Sequence, residues 1–208
     1  MKQNMKIGLI VLIFLIVGIG PASADILWEG NPFHKNADTS DMAVMNPHIA
    51  GVVKYGIVGN ELWVKYSTEA QDVYDPYGAV SGDWVLVEMH LALSQYNPKA
   101  GFPLGPGQKE PVGNAWYNYG WMTKNGNPIP GQFPYAYDGP AVQKYIFKIP
   151  ISELDFDPVE DVFYAGAHAI VRNTRTGQVE TAWVNCQDFP GPKWAHFEIV
   201  DLLQNLPD

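Results

Sequence analysis

Along most of the chain apolar side chains recur at every second position in short runs, and Gly, Pro, Asn or Asp punctuates each run. Period two is the pattern of a β-strand, whose successive side chains point to opposite faces. It predicts strands at 49–57, 61–67, 83–94, 115–122, 142–148, 162–173, 179–184 and 194–200. Gly59-Asn60 and the stretch 174–177 have the composition of tight turns joining antiparallel neighbours. Helical spacing is confined to a short turn expected at 201–206. Short strands separated by turns imply an all-β fold: an antiparallel two-sheet β-sandwich, or its jelly-roll variant, with long Pro/Gly-rich loops.

The stretch KNGNPIPGQFPYAYDGP, residues 124–140, holds four prolines, three glycines and three aromatics in seventeen positions. Proline removes backbone donors and fixes φ, while glycine opens turns that other residues resist. A stiff connection is expected, folded over one end or one open face of the sandwich with Phe133 and Tyr135 as pegs.

The N-terminus reads as a targeting segment. Lys2 and Lys6 precede the apolar run 7–20, and Ala22-Ser23-Ala24 follows Pro21. That is the layout of a secretory signal peptide, 1–24, with an apolar run short for crossing ~30 Å of hydrocarbon. The segment 25–47 is an irregular N-terminal lead-in, either disordered or a strand that pairs only in context, and 48–208 is expected to form a single β-sandwich domain. There is no lipobox cysteine, and residues 201–208 have neither an apolar tail nor a sorting motif. The expected location is therefore extracellular or in the cell envelope, with no membrane anchor after cleavage.

Charge narrows the partners. Without Lys2 and Lys6, eleven basic residues face twenty-two acidic ones, a net charge of −11. Phosphate backbones are bound through Lys and Arg, so nucleic acid is excluded as a partner class. Cys186 is the only cysteine, so no intramolecular disulfide forms. Its thiol is either a small buried apolar group or a reactive one.

Strand parity assembles one polar constellation. In 84–94, WVLVEMHLALS, alternation puts Val85, Val87, Met89, Leu91 and Leu93 on one apolar side and Glu88 with His90 on the other. In 163–172, His168 shares a side with Tyr164, Ile170 and Arg172, and Glu180 opens the next strand. If these strands are neighbours, Glu88, His90, His168 and Glu180 meet on one face. Three uses are open: cross-strand polar pairing, a zinc-type metal site of Glu88, His90 and His168, or a glycoside hydrolase carboxylate pair, Glu88 with Glu180. Acidic groups at Asp72, Asp75 and Asp83, and at Asp155, Asp157, Glu160 and Asp161, read as turn formers or as loop calcium ligands. No GxSxG, HExxH, CxxC, EF-hand or phosphate loop occurs, which leaves no catalytic residue assigned and no cofactor implied.

Aromatics crowd the middle of the chain. Trp116, Tyr117, Tyr119, Trp121, Phe133, Tyr135 and Tyr137 lie close in sequence beside amides such as Asn114, Asn118 and Gln132. Read as a strand, 115–122 puts Trp116 on one face and Tyr117, Tyr119 and Trp121 on the other. Trp116, Tyr119, Trp121, Phe133 and Tyr135 are the candidate binding platform, since such rings combine apolar area with a polar handle.

Four blocks, GNPIPGQFPY (126–135), AGAHAIV (165–171), ETAW (180–183) and FPGPKWA (189–195), taken in this order resemble an uncharacterised group of exported, β-rich prokaryotic domains. The resemblance spans 84–200 and implies a β-rich fold and export, with no reaction attached. The functional expectation is a secreted or cell-surface, non-catalytic binding domain whose partner is a glycan or a surface protein. The alternatives are a polysaccharide hydrolase using Glu88 and Glu180, and a structural subunit of an extracellular layer or filament in which 25–47 donates a strand to a neighbour.

Overall fold

A computed structural model of the chain describes residues 41–44, 49–69, 83–184 and 186–202. The expected signal peptide 1–24, Asp72, Asp75 and the end of the expected C-terminal turn lie outside them. The described part is nearly all β, an antiparallel sandwich. One layer is ordered β5-β4-β7-β8, from strands Tyr135–Tyr137, Trp84–Ser94, Phe163–Asn173 and Val179–Val184. The other is β1-β2-β3-β6, from Asp41–Val44, Ile49–Val58, Glu61–Ser67 and Lys144–Pro150. β10, His196–Val200, extends the first layer along the start of β7 and carries the two-residue β9, Gln187–Asp188.

The layers are joined along both sides. On one side β1 pairs with β8 as well as with β2. On the other, Leu86 and Val142 exchange both backbone bonds, at 2.7 and 3.0 Å, and the Thr68 hydroxyl donates to the Trp84 carbonyl at 2.7 Å. Between the layers lies the inner core, with Val53, Tyr55, Leu62, Val64, Tyr66, Phe147 and Ile149 facing Leu86, Met89, Leu91, Phe163, Ala165, Ala167, Ala169 and Val171. The small alanines of β7 share the inner core with the large rings of β2 and β3, and Tyr55 meets Phe163 edge-on at 6.0 Å.

Most expected strands are present, and the departures have physical causes. Residues 115–122 are not a strand: Ala115–Asn118 form the short helix α1. Asn114 caps it, accepting from the Tyr117 N–H at 2.8 Å, and its amide donates to the Pro98 and Ala100 carbonyls at 2.8 Å each. Asn114 is thus a capping residue holding three stretches of one loop, a stronger local preference than the alternating aromatics. In β4 a bulge between Leu86 and Glu88 shifts the parity, so Leu86 rather than Val87 enters the core, and Val85 and Val87 are only half-buried. The lead-in 25–47 contains β1, a strand with a partner on each side in its own chain.

Candidate functional site

On the outer face of the β4-β7-β8 layer Arg172, Val179 and Thr181 are exposed at one end, but the part that holds Ala92, Gly166 and Trp183 is not open to water. A second apolar cluster covers it, built from Ala92, Trp116, Met122, Phe133, Trp183, Phe189, Ala195 and Phe197. Trp116 is fully buried, edge-on to Phe133 at 6.2 Å, Phe189 at 5.6 Å and Trp121 at 5.5 Å. Its indole N–H donates to the Tyr96 carbonyl at 2.7 Å. These rings reach the sheet because Gly166 has no side chain: a Cβ there would stand 3.1 Å from Trp116 and 3.2 Å from Phe133.

The four blocks of the sequence resemblance meet here. Phe133, Gly166 with His168, Trp183, and Phe189 with Ala195 come from the first, second, third and fourth in turn. The first and last are also joined through the backbone. Gly191 donates to the Gly126 carbonyl at 3.0 Å, and Lys193 donates its N–H to the Asn127 side-chain oxygen at 3.0 Å. A Cβ on Gly126 would meet Gly191 N at 2.7 Å, and φ there is +82°, so two separate demands select glycine. The proline loop folds over a sheet face as expected, with Phe133 as its peg. Tyr135 points elsewhere: it pairs with Leu91 in β5 and packs on the inner core near Phe147, 6.4 Å away.

At the rim of this cluster lies the polar constellation. β4 and β7 pair in the register His90 to His168 and Glu88 to Ile170. His90 Nδ1 is 3.2 Å from His168 Nδ1, and His90 Nε2 is 3.1 Å from Glu88 Oε1. The consistent proton assignment has His90 donating from Nε2 to Glu88 and accepting at Nδ1 from the His168 N–H. Burial, followed by the neighbouring His90, pulls His168 down to about 3. Burial also lowers His90, opposed by Glu88 and Asp138. Both rings are therefore neutral at physiological pH.

Glu88, His90 and His168 form a chain and not a cage. The His90 ring stands between the other two, one on each of its nitrogens, so the three donors do not face a common point. Among the described residues no group of three metal-binding side chains is placed to hold an ion. Glu180 is not in the constellation: it is in register with Val171, whose side chain enters the inner core, whereas Glu88 is in register with Ile170 on the outer side. The two carboxylates thus belong to opposite faces of one layer and cannot flank a single glycosidic bond. The second acidic group serves turns: Asp157 accepts from the Val159 N–H at 2.8 Å and Asp161 from the Asp157 N–H at 2.9 Å.

Of the five platform candidates, Trp116 and Phe133 are buried and Tyr135 faces the inner core. Tyr119 is 46% exposed and Trp121 half-buried, with ring centroids 4.7 Å apart. Tyr96, 48% exposed, lies in the turn after β4 near enough to act on the Tyr119 phenol, a position that periodicity does not single out. Burial and the nearby Asp155 and Tyr96 push the Tyr119 phenol up. Gln95 donates its amide to the Asp155 carbonyl at 3.1 Å. Asp155 is thus the polar group of an exposed aromatic surface, Tyr96-Tyr119-Trp121, mounted on the buried Trp116. Comparison of the chain with protein-family models, with curated proteins and with solved structures returns no match.

Proposed function

We propose that this is an exported, non-catalytic binding domain that engages its partner through the Tyr96-Tyr119-Trp121 surface. The observation that carries the reading is the exposure of Tyr96 and Tyr119 beside Trp121 while the rings beneath them are fully buried. A surface whose rings are already held loses little conformational freedom on binding, and Tyr and Trp dominate interface energetics. Export rests on the basic, apolar and small-residue segments of 1–24. The separation of Glu88 from Glu180 argues against the hydrolase alternative, and the buried neutral histidine pair is placed for packing and polar bridging. β1 pairing within its own chain favours a self-contained domain over strand donation by 25–47.

The test is retention of cell-envelope material, polysaccharide and protein fractions separately, on the immobilised protein. Wild type retains a fraction unchanged in mass, and Tyr119→Ala with Trp121→Ala releases it. Equal retention by the double variant, or conversion of the ligand, contradicts the reading.

A further inference from the structure

The aromatic surface also constrains the chemistry of its guest. Exposed rings beside a carboxylate serve three kinds of ligand: a quaternary ammonium held in a cage, a protein side chain in a pocket, or a sugar laid flat on the rings. A cage needs rings that face one another across the guest. Tyr119 and Trp121 instead touch, at 4.7 Å between centroids with a 50° tilt, so nothing fits between them. A guest lies across the two rings, and it needs a broad apolar face.

Polar groups at the rim specify the rest. Asp155 lies close to the Tyr119 phenol and offers carboxylate acceptor oxygens, and the Gln95 amide donates to the Asp155 backbone carbonyl at 3.1 Å. A carboxylate accepts from hydroxyls and donates nothing, so it suits a ligand rich in O–H groups. Glu153 and Asp155 both act on the nearby Tyr135 phenol, and Glu110 acts on Tyr117 in the same loop layer, so this region is acidic. An anionic chain of uronate or sulfate groups meets like charge here.

We infer that Tyr96, Tyr119 and Trp121, with Asp155 at their edge, form a stacking site for an uncharged polysaccharide of equatorially hydroxylated pyranose units. Such a ring shows axial C–H groups on its faces and O–H groups around its rim. The faces lie on Tyr119 and Trp121, and a rim hydroxyl donates to Asp155. This rests on the binding reading above and adds the ligand class.

The experiment is affinity electrophoresis of the folded protein through gels containing hydroxyethylcellulose, dextran or polygalacturonate, with titration of cellohexaose followed by tryptophan fluorescence. The expected result is retardation by hydroxyethylcellulose and not by polygalacturonate, with affinity for cellohexaose falling about tenfold in Trp121→Ala and in Tyr119→Ala. Asp155→Asn weakens binding less than either. Trp194→Ala, a substitution of another exposed aromatic outside the site, leaves affinity unchanged, and circular dichroism establishes that each variant is folded. Absence of retardation in every neutral gel, preference for polygalacturonate, or wild-type affinity in the Tyr119 and Trp121 variants overturns the inference. If the same two substitutions release an envelope protein or an anionic polymer instead, the binding reading stands and the sugar assignment falls. If they change the retention of nothing, both fall.

Discussion

Two apolar clusters share the β4-β7-β8 layer, one on each face, and they are built by different means. The inner core is made by alternation: Leu62, Val64 and Tyr66 on β3 oppose Met89 and Leu91 on β4, and any sequence with that period in those strands would bury them. The outer cluster is made by loops. Trp116, Phe133 and Phe189 arrive from a capped four-residue helix, a proline loop and the β9 turn, and a bare Gly166 lets two of these rings lie against the sheet. The loops cover the end of the outer face that holds Ala92, Gly166 and Trp183, and that cover is where the exposed rings are mounted.

The largest effect is expected from Trp116→Ala, at about 3–5 kcal/mol. It removes the central ring and leaves the Tyr96 carbonyl without its donor. Hydrogen exchange should show lost protection in the loops at 95–135 while β2, β3 and β6 keep theirs; uniform loss would merge the two clusters into one cooperative unit.

A smaller loss, about 1–3 kcal/mol, is expected for Gly166→Val, because its methyls would force Trp116 and Phe133 off the sheet. Chemical denaturation measures it, and an unchanged midpoint would mean that the rings do not need the bare backbone.

The most specific effect is on pH. His168 stays neutral in the folded protein down to about 3 but takes up a proton near 6.5 when unfolded. The unfolded chain therefore binds more protons below 6.5, and stability falls with falling pH by about 1.4 kcal/mol per unit, with His90 adding in the same direction. His168→Gln should flatten that slope between pH 6.5 and 5, while a slope equal to wild type would place the uptake elsewhere.

The inner core was legible because period two survives without tertiary information. β3 and β8 match their expected limits, and β2, β4 and β7 differ by a residue at an end. What failed was local. The bulge at Val87 reverses parity for Leu86, which alternation cannot anticipate because it assumes an unbroken pleat. Asn114 preceded by Gly113 marked a helix start, and the aromatic run that followed disguised it.

The candidate site was legible in part. Parity put Glu88 with His90 on the side that meets His168, but placing Glu180 needed the register of β8 on β7, which the expected turn at 174–177 does not fix. Of the expected platform rings, Tyr119 is exposed and Trp121 half-buried, while Trp116 and Phe133 are buried. Composition counts rings but does not say which are covered, so Trp116 and Phe133 could not be told from Tyr119. Tyr96 and Asp155 join the site only through the folding of loops distant in sequence.

Native-state hydrogen exchange at the amides of Trp121 and Ile129 tests the cover most directly. Both are bonded within it: Trp121 donates to the Trp116 carbonyl at 2.9 Å and Ile129 to the Trp121 carbonyl at 2.7 Å. A rigid second core predicts protection there of the same order as at Val64 in β3. Exchange at the rate of an open loop, with Val64 still protected, would mean that the rings above it are not held, and the account of a preformed binding surface would fail.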